Sequence, residues 1–304
     1  MGADGITADW IAADWGTSNL RVWAMAADGR VLAAAGSDEG MGKLSRHGFE
    51  PALLRLAGAW LGAGVTPVVA CGMVGARQGW VEAAYRAVPC TPVDAAAMTV
   101  APARDPRLSV RIAPGLSQDR PADVMRGEET QIAGVLAQEP GFDGVICLPG
   151  THCKWAHVSA GEVVSFQTFM TGEMFDLLSR QSVLRHGLTG AEGDDPEAFD
   201  TAVSDALSRP EKIGARLFAL RAEGLLHGLP PVTARARLSG LLIGMELAAA
   251  RPYWLGQAVA LVGSSRLCAA YARALAAQGV TARLMGDTAC TLAGLTALYR
   301  PKEA

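Results

Sequence analysis

The sequence predicts an α/β protein of two lobes, and three observations lead to this fold class. The chain has 304 residues, and at roughly 150 residues per domain this length corresponds to about two domains. Two segments share a pattern of three short strands with a Gly-Thr turn between the first two. The C-terminal part alternates strand and helix patterns in the βαβα order that is typical of an open parallel sheet.

The amino-acid composition excludes several classes of protein and of binding partner. Half of the residues are hydrophobic, aromatic residues make up 6%, and the mean hydropathy is +0.20. A large aliphatic core can therefore form, which excludes a disordered chain and a disulfide-stapled miniprotein. The net charge is −3, the pI is about 6.0, and no run of basic residues occurs. We therefore expect neither nucleic acid nor a membrane as a partner.

The cysteines and the apolar stretches indicate the cellular compartment of the protein. The six cysteines form no CxxC pair, which favours reduced thiols over zinc ligands or structural disulfides. Apolar stretches such as residues 258–262 are far shorter than the ~18 residues of a membrane span. Residues 1–7 include Asp4 and no basic residue, so no signal peptide is expected. The prediction is a soluble, cytoplasmic protein.

The first strand pattern begins close to the N-terminus. Residues 11–13, 20–26 and 30–35 read as strands, with a polar turn at residues 14–19 and an Asp28-Gly29 hairpin signal. Small residues and hydroxyls in a turn can offer backbone N–H and side-chain O–H donors to a phosphate. Taken alone, this turn is most simply an ordinary hairpin loop.

A second copy of the pattern supports the phosphate interpretation. Residues 144–148, 153–158 and 163–169 read as strands, and Gly150-Thr151 takes the place of Gly16-Thr17. Internal duplication suggests two lobes that each present a Gly-Thr turn to a polyphosphate. Asp14 corresponds to Leu148 in the second copy, and a single carboxylate beside such a turn suits a Mg²⁺–nucleotide complex.

The chain outside the two copies also reads as α/β. The predicted strands and helices are strands at 65–70, 108–113, 258–262 and 280–285, and helices at 51–61, 235–250, 266–278 and 288–299. Gly263 and Gly286 then follow strands at their carboxyl ends, where α/β folds bind ligands.

A carboxylate pair lies on a helix that we expect to begin at Pro121, which suits a first helical turn. On a 3.6-residue period Glu128 falls on the apolar stripe that starts with Val124, and Glu129 is turned away from it. A carboxylate there is costly unless it lines a cleft or is paired. Two interpretations stay open, a general base for a substrate hydroxyl and a structural salt bridge with a cation such as Arg126.

Five segments, in this order, resemble the 2-dehydro-3-deoxygalactonokinase family. They are DWGTSNLR at residues 14–21, CGMVG at 71–75, DVMRGEETQ at 123–131, LPGTHCKW at 148–155 and TFMTGEM at 168–174. The resemblance implies membership of the sugar-kinase/actin superfamily. It implies two ribonuclease-H-like lobes, here residues 1–138 and 139–304, with the nucleotide in the cleft between them.

The same resemblance implies roles for residues at the matching positions. Asp14 would hold the Mg²⁺ shell. Contacts to ATP phosphates are expected from Gly16, Thr17, Ser18, Asn19, Gly150, Thr151 and Lys154, and contacts to the adenosine from Gly263, Ser264 and Gly286. Contacts to the acceptor substrate are expected from Arg21, Gly72, Met73, Arg77, Gln78, Thr171 and Glu173.

The catalytic base departs from the superfamily pattern, in which many sugar kinases use an aspartate at the start of a helix in the second lobe. Here Glu128 and Glu129 are the expected catalytic residues, with Glu173 and Asp123 as alternatives. A glutamate pair on this helix also resembles the exopolyphosphatase branch, where it positions water.

The resemblance implies an ATP- and Mg²⁺-dependent kinase that phosphorylates the terminal (6-) hydroxyl of 2-dehydro-3-deoxy-D-galactonate. Two alternatives are an exopolyphosphatase-like phosphohydrolase of the same fold and an actin-like nucleotide-binding scaffold. The sequence does not separate the galactonate from the gluconate epimer, and it leaves a homodimer open.

Overall fold

A computed structural model describes residues 5–300, so part of the segment on which the signal-peptide expectation rests lies outside the described residues. Fourteen strands are assigned within this range. They are β1 (Trp10–Trp15), β2 (Leu20–Met25), β3 (Val31–Ser37), β4 (Thr66–Gly72), β5 (Tyr85–Ala87), β6 (Thr99–Val100), β7 (Leu108–Ile112), β8 (Gly115–Gln118), β9 (Asp123–Met125), β10 (Gly144–Leu148), β11 (Cys153–Ser159), β12 (Glu162–Phe169), β13 (Val259–Gly263) and β14 (Arg283–Gly286).

Nine α-helices are assigned in the same part of the chain. They are α1 (Phe49–Ala57), α2 (Glu128–Gln138), α3 (Thr171–Arg180), α4 (Pro196–Ser208), α5 (Ile213–His227), α6 (Pro231–Ala249), α7 (Arg251–Trp254), α8 (Ser265–Ala276) and α9 (Asp287–Tyr299). The predicted α/β class is confirmed. None of these helices, within residues 5–300, combines the length and the apolar character that crossing a membrane requires.

The two largest sheets repeat one strand order, which agrees with the duplication inferred from the sequence. The first sheet runs β3-β2-β1-β4-β7-β6 and the second β12-β11-β10-β13-β14. In each, the third, second and first strands of a meander lie side by side, and a later strand pairs in parallel with the first. The sheets therefore share an architecture although their sequences match only in pattern.

The chain divides into two compact units that interleave in sequence. The first unit comprises residues 1–143, 158–165 and 287–304, and the second comprises residues 144–157 and 166–286. Aromatic side chains fill the core of the first unit, where the rings of Trp15 and Phe49 lie 5.0 Å apart. In the second unit, Trp155 and Tyr271 are buried in the core.

Helices α2 and α9 cross at backbone contact within the first unit. A Cβ added at Gly134 would overlap the carbonyl of Cys290, and one added at Gly294 would overlap the carbonyl of Thr130. Two glycines on facing helices therefore permit this close crossing, which brings α9 against the N-terminal turns of α2.

The predicted start of the connecting helix at Pro121 is wrong. Residues 123–125 instead form β9, which pairs antiparallel with β8. Gly127 then takes φ = 111°, a left-handed conformation that breaks the strand, and α2 begins at Glu128. Pairing with a strand that is close only in the fold overrode the local helix-start signal of the proline.

Candidate active site

A pocket in the first unit contains five of the predicted site residues: Asp14, Gly16, Gly72, Met73 and Glu128. It lies beside the end of β1, the end of β4 and the start of α2. Its lining residues are Asp14, Trp15, Gly16, Gly72, Met73, Arg126, Gly127, Glu128, Gln131 and Thr291. The structure thus brings together the expected metal ligand, one residue of the first turn and one of the two expected catalytic glutamates.

Asp14 is fixed by the strands on both sides of β1. Its register partners are Arg21 on β2 and Cys71 on β4. Arg21 donates to Oδ2 from Nε at 3.0 Å and from Nη2 at 2.6 Å, and the Cys71 Sγ lies 3.7 Å from Oδ1. Arg21 also donates from Nη1 to Asp287 at 3.0 Å. Arg21, expected near the acceptor substrate, is therefore engaged with two carboxylates.

The segment after β3 packs against the first Gly-Thr turn and hydrogen-bonds to it. Amides of residues 40, 41 and 42 donate to the carbonyls of Ser18, Gly16 and Thr17, respectively, at 3.3, 3.0 and 2.9 Å. A Cβ at Gly40 would overlap the backbone of Ser18. These bonds occupy three consecutive carbonyl oxygens and so fix the shape of the turn.

The second Gly-Thr turn is likewise contacted by the segment after its third strand. The amide of Glu173 donates to the Thr151 carbonyl at 2.9 Å, and a Cβ at Gly172 would overlap the Gly150 carbonyl. The Glu173 carboxylate also lies 2.7 Å from His152 Nε2. In both units, therefore, a glycine in the segment after the third strand packs onto the turn.

The other predicted residues of the second unit lie on β11, at the ends of β13 and β14, and at the starts of α3 and α8. Lys154 is buried on β11, and Thr171 is buried at the start of α3. Gly263 and Gly286 end β13 and β14 and are register partners, which places them at strand carboxyl ends as predicted. The hydroxyl of Ser264 caps α8 by accepting from the Leu267 amide at 3.4 Å.

The two glutamates of α2 have different environments, and the expected orientation is only partly right. Glu128 lines the pocket, as expected. Val124 lies on strand β9, however, so Val124 and Glu128 do not share a face of one helix. Glu129 is the glutamate in the core, with no exposed surface. The Glu128 Oε2 accepts from the Arg126 amide at 3.0 Å, and the Glu129 Oε2 accepts from the Gly127 amide at 2.6 Å.

Burial determines the protonation of Glu129. Desolvation, reinforced by the negative charge of Glu128, raises the pKa of Glu129 to about 7, against the opposing effect of its hydrogen bonds. Glu129 can therefore be protonated near neutral pH, whereas Glu128 borders the open pocket.

Gly72 and Gly127 let three chain segments meet at the pocket. Gly72 has φ = 88°, and a Cβ there would lie 2.6 Å from the Trp15 carbonyl oxygen. A Cβ at Gly127 would lie 3.3 Å from the Gly72 Cα. Larger residues at these positions would separate the ends of β1 and β4 from the start of α2.

Three polar residues line the pocket that were not predicted to be there: Arg126, Gln131 and Thr291. Arg126 was expected as a salt-bridge partner on the helix, and its backbone amide donates to Glu128. Gln131 Nε2 lies 3.4 Å from Thr291 Oγ1, on helices that are distant in sequence. No local pattern signals such a pair, because the crossing of α2 and α9 creates it.

Three other predicted residues lie outside this lining. Arg77 and Gln78 are exposed, and Arg77 pairs with Glu82 at 3.6 Å. Asp123, an alternative base, is on β9, where its carboxylate accepts from the Val124 amide at 2.8 Å.

Comparisons with known proteins agree on one family. A profile of the 2-keto-3-deoxy-galactonokinase family matches residues 14–298. A protein of Rhizobium meliloti named a probable 2-dehydro-3-deoxygalactonokinase is 42% identical over 96% of both chains. The Escherichia coli 2-dehydro-3-deoxygalactonokinase is 38% identical, over 93% of this chain and 95% of that protein.

Two solved structures resemble this chain, one at the level of the family and one at the level of the fold. A crystal structure from Sinorhizobium meliloti, provisionally named a 2-dehydro-3-deoxygalactonokinase, superposes with a TM-score of 0.87 at 40% identity, over 96% of this chain and 98% of that one. Component A of the Acidaminococcus fermentans (R)-2-hydroxyglutaryl-CoA dehydratase shares the fold at a TM-score of 0.52 and 12% identity, over 95% and 96% of the chains. The predicted fold class is confirmed. The chain belongs to the 2-keto-3-deoxy-galactonokinase family.

Proposed function

We propose that this protein is an ATP-dependent kinase that phosphorylates the terminal (6-) hydroxyl of 2-dehydro-3-deoxy-D-galactonate. The observation that carries the proposal is the pocket that Asp14, Gly16 of the first turn and Glu128 line together. The names of the two curated relatives support this substrate. They do not favour a phosphohydrolase or a nucleotide-binding scaffold.

Glu128 is the general base in this proposal. Its carboxylate lines the pocket, and the Arg126 amide holds one of its oxygens. A carboxylate so placed can accept the proton of the attacking hydroxyl. Glu129 is fully buried and bonds the Gly127 amide, so it positions the loop that carries Glu128.

Asp14 fits a Mg²⁺ site by the chemistry of its surroundings. Mg²⁺ retains most of its waters and needs one or two carboxylates besides substrate phosphates. One Asp14 oxygen is held by Arg21, and the hydrogen bond made by the other within residues 5–300 is the weak one from the Cys71 thiol. When bound, Mg²⁺ would neutralise phosphate charge, and Asp14 would orient the waters of its shell.

The two Gly-Thr turns are proposed to contact ATP phosphates through Gly16, Thr17, Ser18, Asn19, Gly150, Thr151 and Lys154. The proposed adenosine contacts are Gly263, Ser264 and Gly286. Support comes from the matching way in which each turn is held by the segment after its third strand. Backbone amides in such rigid turns stabilise charge on a transferring phosphoryl group.

A coupled ADP-release assay tests the proposed function. Wild-type protein is given ATP, Mg²⁺ and a panel that includes both epimers of the keto-deoxy sugar acid, with a control that contains no acceptor. We expect ADP release to depend on the acid and on Mg²⁺. ADP release that is equally fast without an acceptor would instead indicate a phosphohydrolase.

We also propose a cytoplasmic homodimer. Phe218, Leu225 and Leu226 are exposed on α5, and apolar side chains of this kind are typical of subunit interfaces. Light scattering on the purified protein tests the dimer, and a monomeric mass at micromolar concentration would contradict it.

A further inference from the structure

Arg126 is a buried cation whose hydrogen-bonding capacity is largely unused. Its residue exposure is 9%, and the guanidinium lies 4.3 Å from the centre of the Tyr85 ring. Nη2 donates to the Ala83 carbonyl at 2.7 Å, but Nε and Nη1 have no hydrogen-bond partner within residues 5–300. Burial of an incompletely satisfied charge is costly, so a specific requirement must maintain it.

The position of Arg126 connects this charge to the pocket. The residue follows β9, precedes the left-handed Gly127, and belongs to the pocket lining with Asp14 and Glu128. Two carboxylates in a pocket would repel an anionic acceptor. Among the lining residues in the part of the chain that the structure describes, Arg126 is the one with a positively charged side chain.

The other arginines considered for an acidic acceptor are used elsewhere. Arg21 makes two bonds to Asp14 and a third to Asp287. The Arg77 side chain is 80% exposed and pairs with Glu82. Neither is in the pocket lining.

We propose that Arg126 is the residue that selects an acceptor bearing a carboxylate. This inference rests on the proposed function, because it concerns the acceptor of that same pocket. The guanidinium is largely shielded from water, so its charge acts through a lower dielectric than bulk solvent and favours an anion in the pocket. Arginine also stays charged at all working pH values. Arg126 is thus a specificity-determining residue, separate from the base.

The experiment compares two acceptors of nearly the same shape, one charged and one neutral: 2-dehydro-3-deoxy-D-galactonate and its primary amide. The kcat/KM of each is measured for the wild type, Arg126→Met, Arg126→Lys and the exposed control Arg30→Met. We expect the wild type to prefer the acid. Arg126→Met should lower kcat/KM for the acid by roughly 10²-fold with little change for the amide. Arg126→Lys should keep part of the preference, and Arg30→Met all of it.

Two results would overturn the inference. One is an equal loss of kcat/KM for acid and amide in Arg126→Met, which would assign Arg126 to the loop of Glu128 instead. The other is a wild type with no preference for the acid, which decides the question even if Arg126→Met does not fold. Failure of the proposed function gives a different result: no ADP release from the wild type with this acid. The acid-to-amide ratio is then measured on whichever sugar acid of the panel is phosphorylated.

Discussion

Arg21 holds Asp14 through two hydrogen bonds to one carboxylate oxygen, from Nε at 3.0 Å and from Nη2 at 2.6 Å. The same guanidinium reaches Asp287, the first residue of α9. Arg21 on β2 thereby orients the carboxylate of Asp14, which lies next to the first turn. The two bonds leave Asp14 little rotational freedom, which suits its proposed role of orienting the waters of a metal ion.

Replacement of Asp14 by asparagine should lower kcat strongly while the protein stays folded. Asparagine preserves the shape but not the charge, so we expect kcat to fall by roughly 10²-fold or more. The measurement is the rate against Mg²⁺ concentration, with Asp28→Asn on the exposed β2–β3 turn as the control. Wild-type turnover and Mg²⁺ dependence in Asp14→Asn would contradict the metal role.

Replacement of Glu128 by glutamine should lower kcat by roughly 10²–10⁴-fold with little change in KM, because the amide cannot accept a proton. Steady-state kinetics on the variant and on the exposed control Glu82→Gln measure the effect. Retained activity in Glu128→Gln, with loss in Glu173→Gln or Asp123→Asn, would move the base to one of those residues.

Replacement of Glu129 by glutamine should change how stability depends on pH. Burial raises the pKa of Glu129 from 4.5 to about 7 in the folded protein. A raised folded-state pKa means that the folded protein binds this proton more tightly than the unfolded chain does. Its contribution to stability is therefore complete below pH 4.5 and is lost as pH rises through 7.

We accordingly expect the Tm of the wild type to fall more steeply between pH 5 and pH 8 than the Tm of Glu129→Gln. Calorimetry at both pH values measures this, with Glu82→Gln as the control that keeps the wild-type slope. Parallel Tm curves for Glu129→Gln and the wild type would show that the Glu129 carboxyl does not titrate in this range.

Replacement of Gly150 by valine should weaken ATP binding without destabilising the protein. Apart from the two adjoining residues, no atom of residues 5–300 lies within 4 Å of a Cβ placed at Gly150, so the side chain fits when no phosphate is bound. We expect the Kd of an ATP analogue, measured by calorimetry, to rise at least about tenfold, because backbone could no longer approach phosphate closely. Gly187→Val, also in open space, is the control. An unchanged Kd with an unchanged Tm would show that the second turn does not contact phosphate.

The sequence predicts the two meanders well because their signals are local. Short, mostly apolar runs and the Asp28-Gly29 turn define β2 and β3, and similar runs define the strands around Gly150-Thr151. The start of α2 was misplaced because β9 pairs with β8, a tertiary contact that no helix-start rule contains. That error misassigned the face of Glu128 and hid the burial of Glu129.

Two further features depend on contacts between distant segments. Arg126 is buried because the chain returns Tyr85 and Ala83 to it, more than 40 residues away in sequence. Thr291 reaches the pocket because Gly134 and Gly294 allow α2 and α9 to cross closely. Neither a residue type nor a spacing in the sequence encodes these contacts.

In the proposed reaction, a phosphoryl group passes from ATP to the terminal hydroxyl of the sugar acid. The direct test is ³¹P and ¹H NMR of the products formed from ATP and 2-dehydro-3-deoxy-D-galactonate. We expect one phosphomonoester per ADP, with the phosphorus coupled to the protons of the terminal carbon. Inorganic phosphate in place of a phosphomonoester, or phosphorus coupled to another carbon's proton, would contradict it.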